Sequence, residues 1–255
     1  MSTSITFEHP LNERIRIFLR LEHLFERFEH FVRQFDPSAT RAAIDALLEI
    51  VAITARSDIK NEILKELEHH IGAIHRLADK PGVDPKALEQ VLSDLDDAID
   101  GVRHIGSPIG QTAREDDFLK AIAQRSSIPG GACSFDLPHY HFWLIQPPEI
   151  RQTRFDHWLL DLTPAFSAID LALSLIRGST APRRVLAEGG FFQEALDLDA
   201  SAQMLRVGLD ASEALYPEIS GHKNRFSIRF MAIESSGRPA QRCDDVSFKL
   251  TCCVL

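Results

Sequence analysis

The chain has 255 residues, of which 44% are hydrophobic and 25% charged, and a formal net charge of -9 at pH 7. This composition is typical of a folded globular protein and argues against a largely disordered chain. The negative balance argues against a nucleic-acid-binding regulator, because phosphate contacts require clustered positive charge.

The beginning of the chain, MSTSITFEHPLNERIRIFLR, has no basic segment leading into an uninterrupted apolar run, so no secretory signal is predicted and a cytoplasmic protein is expected. The longest apolar stretch, 159–176, contains Asp161, Pro164 and Asp170, and we therefore expect no membrane span. The four cysteines follow no C-x-x-C spacing and are expected to be reduced thiols.

The first half of the chain predicts a short extended opening followed by a helical bundle. Asn12 is a suitable N-cap for the first helix, whose apolar residues recur every three or four positions. His69, His70 and His75 are predicted to face solvent. Helices are predicted at about 12–34, 39–55, 58–78 and 85–102, and as one helix over QTAREDDFLKAIAQ.

The second half predicts mainly strands. After the loop SSIPGGACSFDLP, HYHFWLI is predicted to be a strand, and 148–178 to be helical. Strands are then predicted at SAQMLRVGLD, NRFSIRFMAIE and DVSFKLTCCVL, with turns at 216–221 and 235–239. ITFEHP and HYHFWLI could join these strands in one antiparallel sheet.

This segregation of helices from strands predicts an α+β fold. The predicted helical domain covers residues 11–125, with the helices of 148–178 packed on it. The predicted β-strand domain combines residues 1–10, 127–146 and 183–255.

The sequence contains no common hydrolase, phosphate-loop or dinucleotide motif. His139 and His141 would share a strand face and could bind a metal with Cys133 or Asp136, but H-x-H alone is a weak signal. An enzyme acting on a small anionic substrate through Cys133 and His141 is the alternative hypothesis, although an inert buried thiol fits Cys133 better. From the residues alone, an enzyme would have to be an unusual one, and no metal site is expected.

The stretch SGHKNRFSIRF concentrates positive charge in an acidic chain. Strand alternation predicts Phe226 and its apolar neighbours on the core side, and a row of cations, Lys223, Arg225 and Arg229, on the other. This row could bind an extended acidic peptide, or it could protect an exposed sheet edge from aggregation.

A second basic row lies on the first helix at Arg16, Arg20, His23, Arg27 and His30. Arg16 and Arg20 have the fewest acidic neighbours and are the better binding candidates. His141 and Trp143 would share a strand face and offer a polar and an aromatic contact to a peptide, while Trp143 fits a core position equally well.

Several long stretches resemble the ZapD family of bacterial cell-division proteins that associate with FtsZ. They are FEHPLNERIRIFLRLE, ILKELEHH, IGQTARED, SIPGGACSFDLPHYHFWL and LYPEISGHKNRFSIRFM, spread over nearly the whole chain. The resemblance implies a helical domain with a β-strand domain, a homodimer, and no cofactor or catalysis. It also implies binding to the C-terminal peptide of FtsZ and crosslinking of FtsZ filaments at the midcell division site.

The resemblance further implies a peptide pocket with basic and aromatic groups. The matching residues are Arg20, His141, Trp143, Lys223 and Arg225, with Arg16 and Arg229 as neighbours. Where the family has a basic residue after the ARED motif, this chain has Asp117, and Arg114 is a possible substitute.

Overall fold

The structure is a computed structural model, and it describes residues 4–56, 58–77, 83–106, 108–197, 201–222 and 225–254. The chain divides into two compact units. The helical unit is Arg20–Ala172, and the sandwich unit combines Met1–Leu19 with Leu173–Leu255. Helices followed by antiparallel sheets confirm the predicted α+β class.

The predicted long helices are confirmed to within a few residues. Asp36 illustrates why they begin where they do: its carboxylate accepts hydrogen bonds from the N–H groups of Ser38 and Ala39, and Pro37 follows at a position that needs no N–H. The described helices are α1 (Glu13–Val32), α2 (Pro37–Thr54), α3 (Ile59–Leu77), α4 (Pro85–Arg103), α5 (Gln111–Glu115), α6 (Asp117–Ser126), α7 (Pro138–Leu144), α8 (Pro148–Trp158) and α9 (Thr163–Gly178).

One segment predicted as a continuous helix, QTAREDDFLKAIAQ, is interrupted. Asp116 has extended backbone (ψ 119°), and its carboxylate accepts from the N–H of Leu119, so it ends α5 and caps α6. The predicted helices of 148–178 are confirmed as α8 and α9, and α9 begins at Thr163. Within the described part of the chain, no single helix has the length and apolarity to cross a membrane, and α8 and α9 meet those criteria only as a pair bent by 70°.

The prediction of a strand at HYHFWLI is wrong, because this segment forms α7. Pro138 is at the beginning of the helix, where its missing N–H is tolerated. Tyr140, Trp143 and Leu144 follow the three- and four-residue spacing of one helix face, and all three are buried. Tertiary packing of this face overrides the strand preference of its aromatic residues.

The described strands form two antiparallel sheets instead of one. The strands are β1 (Ser4–Pro10), β2 (Arg183–Ala187), β3 (Phe191–Ala195), β4 (Ala202–Asp210), β5 (Leu215–His222), β6 (Arg225–Ile233), β7 (Pro239–Gln241) and β8 (Val246–Val254). The first sheet has the order β1-β4-β8-β2, and in the second, β6 lies between β3 and β5 and also pairs with β7. Residues 216–221, predicted as a turn, belong to β5.

The two sheets of the sandwich unit enclose a common apolar core. The ring of Phe248 in the first sheet lies 4.9 Å from the ring of Phe230 and 5.5 Å from that of Phe192 in the second. Because side chains alternate along a strand, each sheet presents its other face away from this core. The principal core residues are Leu205, Val207, Leu209, Val246, Phe248, Leu250, Phe226, Ile228 and Phe230.

Candidate functional site

The outer face of the second sheet carries the described part of the predicted basic row. Phe226 and Ile228 are buried, whereas Arg225 and Arg229 are exposed, so the predicted alternation of β6 is confirmed over these residues. Both arginines lie on strand positions paired with β3 on one side and β5 on the other. The edge-protection alternative is therefore wrong, because β6 is an interior strand here.

Arg225 lies at a polar pocket of about 410 Å³. In the register of the sheet, Ser227 pairs with Gln193 on β3 and with Ser220 on β5, and all three residues line this pocket with Arg225. Among the described residues, no carboxylate lies within ion-pair distance of Arg225. The pocket therefore combines an unneutralised guanidinium with hydroxyl and amide groups that can donate and accept hydrogen bonds.

Arg229 has different surroundings from Arg225. It pairs with Phe191 on β3 and with Glu218 on β5, and it does not line the pocket. Glu218 is exposed beside it, and an opposite charge directly across a strand pair reduces the local positive potential. Lys223 lies outside the described residues. Arg225 is thus the member of the predicted row that the structure places at the pocket.

Arg16 belongs to the corner between β1 and α1, in the sandwich unit. Its Nε lies 3.1 Å from Oε2 of Glu13 without the geometry of a hydrogen bond, so this buried N–H lacks an acceptor among the described residues. The same corner contacts β5, since a Cβ at Gly221 would lie 3.3 Å from Nε2 of His9. Gly221 pairs with Phe226, the neighbour of Arg225.

His9 joins this corner as a residue that the sequence analysis missed. Burial, and then the positive charge of Arg16, lowers the pKa of His9 below its ordinary value of 6.5. Both causes disfavour the imidazolium form. His9 is therefore neutral at pH 7 in the folded protein.

We expect His9→Gln to reduce the loss of stability at acid pH. Because the pKa of His9 is lowered in the folded state, the unfolded chain takes up a proton first as the pH falls. The contribution of His9 to the free energy of unfolding is complete above about pH 6.5, the ordinary pKa of histidine. This contribution is lost as the pH falls through the folded-state pKa of His9. Urea unfolding at several pH values measures this, with the exposed His75→Gln as control, and equal pH slopes for wild type and His9→Gln would refute it.

Arg20 and His141 belong to the helical unit. Arg20 is exposed on α1, and His141 is exposed on α7. Among the described residues, no ion pair or hydrogen bond holds the side chain of either one. Both are available to a partner, and their contact with FtsZ stays a prediction.

Trp143 is a core residue, with 4% of its surface exposed. Two positions apart on a helix, His141 and Trp143 point in different directions, so the prediction that they share a strand face is wrong. The ring of Trp143 lies 5.3 Å from that of Phe118, 5.7 Å from Phe155 and 5.9 Å from Trp158. This aromatic cluster holds α7 in place and thereby positions His141.

Asp117 begins α6 with 98% of its side chain exposed, and it lies 3.3 Å from Nζ of Lys120. Arg114, the suggested substitute for a basic residue here, is in the last turn of α5. A different cation lies nearby: the guanidinium of Arg154 is 4.1 Å from the ring centre of Phe118 and, with Asp117, lines a pocket of about 400 Å³.

The alternative catalytic pair is not assembled. The thiol of Cys133 donates to Oδ2 of Asp136 at 3.3 Å, and this carboxylate also lies 3.8 Å from Arg125. Among the described residues, no hydrogen bond joins this thiol to His141. The helical conformation of α7 also removes the shared face proposed for His139 and His141. Among the described residues, no three His, Cys, Asp or Glu side chains are grouped to hold a metal.

Comparison with known proteins assigns the chain to a family. The ZapD profile, described as "Cell division protein", matches residues 19–229. The chain belongs to the ZapD family. It is 43% identical over 255 residues to the "Cell division protein ZapD" of Methylococcus capsulatus, with 100% of both chains covered.

Other ZapD proteins match the chain over comparable lengths. The "Cell division protein ZapD" of Cronobacter sakazakii is 39% identical over 254 residues, covering 99% of this chain and 100% of the relative. That of Aromatoleum aromaticum is 38% identical over 251 residues, covering 98% of each. The resemblance seen in the sequence is confirmed, and membership of the ZapD family implies a role in cell division. The profile match includes every predicted site residue except Arg16.

Proposed function

We propose that this ZapD protein binds the C-terminal peptide of FtsZ and crosslinks FtsZ filaments into bundles, supporting assembly of the division ring at midcell. The observation that carries the proposal is Arg225, an exposed cation at a polar pocket on an interior strand. Membership of a cell-division family supports a role in cell division. The chemistry of this pocket supports a peptide ligand that carries carboxylates.

The pocket suits an extended peptide that carries carboxylates. Alternate residues on a strand face lie about 7 Å apart, the same repeat as alternate side chains of an extended peptide. The guanidinium of Arg225 can bind a carboxylate through two parallel hydrogen bonds. Ser220, Ser227 and Gln193 add neutral donors and acceptors for backbone groups.

Crosslinking requires at least two peptide sites in one particle, and we propose that a homodimer provides them. A filament displays many copies of the same peptide, so a bivalent particle that has bound once meets the next copy at high effective concentration. Stable bundles can then form even when each contact between one site and one FtsZ peptide is weak. Light scattering of the purified protein measures the particle mass, and a monomer at working concentrations would contradict this part of the proposal.

Co-sedimentation with FtsZ filaments tests the proposed function. The protein is expected to pellet with full-length FtsZ and to remain in the supernatant when the C-terminal peptide of FtsZ is deleted. Pelleting that is absent, or that is unchanged by the deletion, would refute the proposal.

The Arg225→Ala variant is expected to weaken binding of the FtsZ C-terminal peptide by about 1–2 kcal/mol, or roughly 5–30-fold. Its thermal stability should change by less than about 0.5 kcal/mol, because the side chain is exposed and unpaired among the described residues. The matched control is Arg103→Ala, which removes an exposed arginine paired with Glu68 on the helical unit. Equal affinities for Arg225→Ala and wild type would remove Arg225 from the site.

A further inference from the structure

A second polar pocket lies on the outer face of the first sheet, in the sandwich unit. Its volume is about 210 Å³. The register of the sheet brings its strand residues together: Thr6 pairs with Gly208, Gly208 with Lys249, and Arg206 with Thr251. The pocket is lined by Ser4, Thr6, Arg177, Thr180, Pro182, Arg206, Gly208, Lys249 and Thr251.

Glu8 fixes two of the three cations that line this pocket. The guanidinium of Arg177 donates to both carboxylate oxygens of Glu8, at 2.9 and 2.7 Å, and Nε of Arg206 donates to one of them at 3.0 Å. Burial alone would raise the pKa of Glu8, but the two arginines outweigh it and lower the pKa. The carboxylate is therefore ionised at neutral pH and holds both guanidinium groups in defined positions.

The pocket contains a cation that has no ion-pair partner among the described residues. Three cationic side chains line the pocket, and Glu8 pairs with two of them, Arg177 and Arg206. The third, Lys249, has no carboxylate within ion-pair distance among the described residues. An unpaired cation in a concave polar site attracts anions.

The space in the pocket depends on Gly208. A Cβ at this position would lie 3.3 Å from Cβ of Lys249 and 3.8 Å from Oγ of Ser4, so any other residue would fill part of the floor. Around this floor, hydroxyl groups come from β1, from β8 and from the segment after α9. Thr251 has only 5% of its surface exposed. The glycine thus allows a small ligand to approach the backbone between cations and hydroxyls.

We propose that this pocket binds a phosphoryl group. Donors on β1, on the pair β4 and β8, and at the end of α9 surround the space on several sides, which suits the three terminal oxygens of a phosphate better than the two coplanar oxygens of a carboxylate. The ligand is either free phosphate or the phosphate of an ester, since both present this group. The site is separate from the Arg225 pocket, which lies on the other sheet.

Isothermal titration of the full-length protein with inorganic phosphate, at constant ionic strength, tests the proposal. Saturable binding of one phosphate per chain is expected, and Lys249→Ala should weaken it about tenfold, because a hydrogen bond to a charged group is lost. Thr251→Val keeps the side-chain shape, removes the hydroxyl and should weaken binding several-fold. Lys65→Ala, an exposed lysine of α3, and Arg225→Ala should bind phosphate as wild type does.

A second titration with a nucleoside monophosphate distinguishes the two sources of the phosphate. Binding of either compound that depends on Lys249 supports the site, and preference for the monophosphate identifies an ester as the ligand. The proposal is overturned if neither compound binds saturably. It is also overturned if Lys249→Ala binds like Lys65→Ala, or if Arg225→Ala alone abolishes binding.

Discussion

Replacing Trp143 by alanine is expected to lower the free energy of unfolding of the helical unit by about 3–5 kcal/mol. The side chain is buried against Phe118, Tyr140, Phe155 and Trp158, and a truncated residue would leave a cavity that this ring cluster cannot fill. Urea unfolding followed by fluorescence measures the effect. Both tryptophans of the chain lie in the helical unit, so Trp158 remains as the reporter.

Two matched variants separate this core role from contact with a partner. His141→Ala, two residues earlier on α7, removes an exposed side chain and should change stability by less than about 0.5 kcal/mol. Trp143→Phe keeps an aromatic ring and should cost less than Trp143→Ala, because the indole N–H has no acceptor among the described residues. A Trp143→Ala protein as stable as wild type would show that this packing does not hold α7.

The second large effect is expected at Glu66 and His70, which lie one turn apart on α3. Both side chains are fully buried, and Nε2 of His70 is 3.4 Å from Oε1 of Glu66. Glu66→Leu is expected to destabilise the protein by about 3 kcal/mol, since it leaves the fully buried His70 ring without this carboxylate. The measurement is again urea unfolding.

The double variant Glu66→Leu/His70→Phe provides the control for this pair. Replacing both partners by apolar residues removes the two buried polar groups together, so the double variant should be more stable than Glu66→Leu. A double-mutant cycle with His70→Phe isolates their interaction energy. Simple addition of the two single effects would show that the side chains do not interact.

Helical periodicity could have located His70 and α7 from the sequence. His70 shares the face of Ile63 and Leu67, both buried, so its prediction as a solvent-facing residue gave too much weight to the charged neighbours. In α7, Tyr140, Trp143 and Leu144 have helical spacing and Pro138 favours the beginning of a helix. Our prediction of a strand was wrong because it gave more weight to the strand preference of aromatic residues than to these two helical signals.

Other features depend on contacts between distant segments, which a single sequence does not reveal. The stretch LYPEISGH contains Pro, Ser and Gly and predicts a turn, yet its pairing with β6 makes it β5. Alternation in β6 correctly predicted which side of the strand Arg225 faces. Alternation could not predict that β3 and β5 flank this strand. Because they do, the basic row does not protect a sheet edge, and Arg225 lies at a polar pocket.

The antiparallel pairing of β1 with β4 has a consequence for the order of folding. Ser4 is opposite Asp210 and Pro10 is opposite Met204. The first strand of the chain therefore cannot form these pairs until β4, about two hundred residues later, has been synthesised. The helical unit, in contrast, is one continuous segment. During synthesis this segment can be complete before β4 exists, whereas the sandwich closes a long loop that slows its formation. A ribosome stalled near residue 200 would thus carry a folded helical unit together with an unpaired β1.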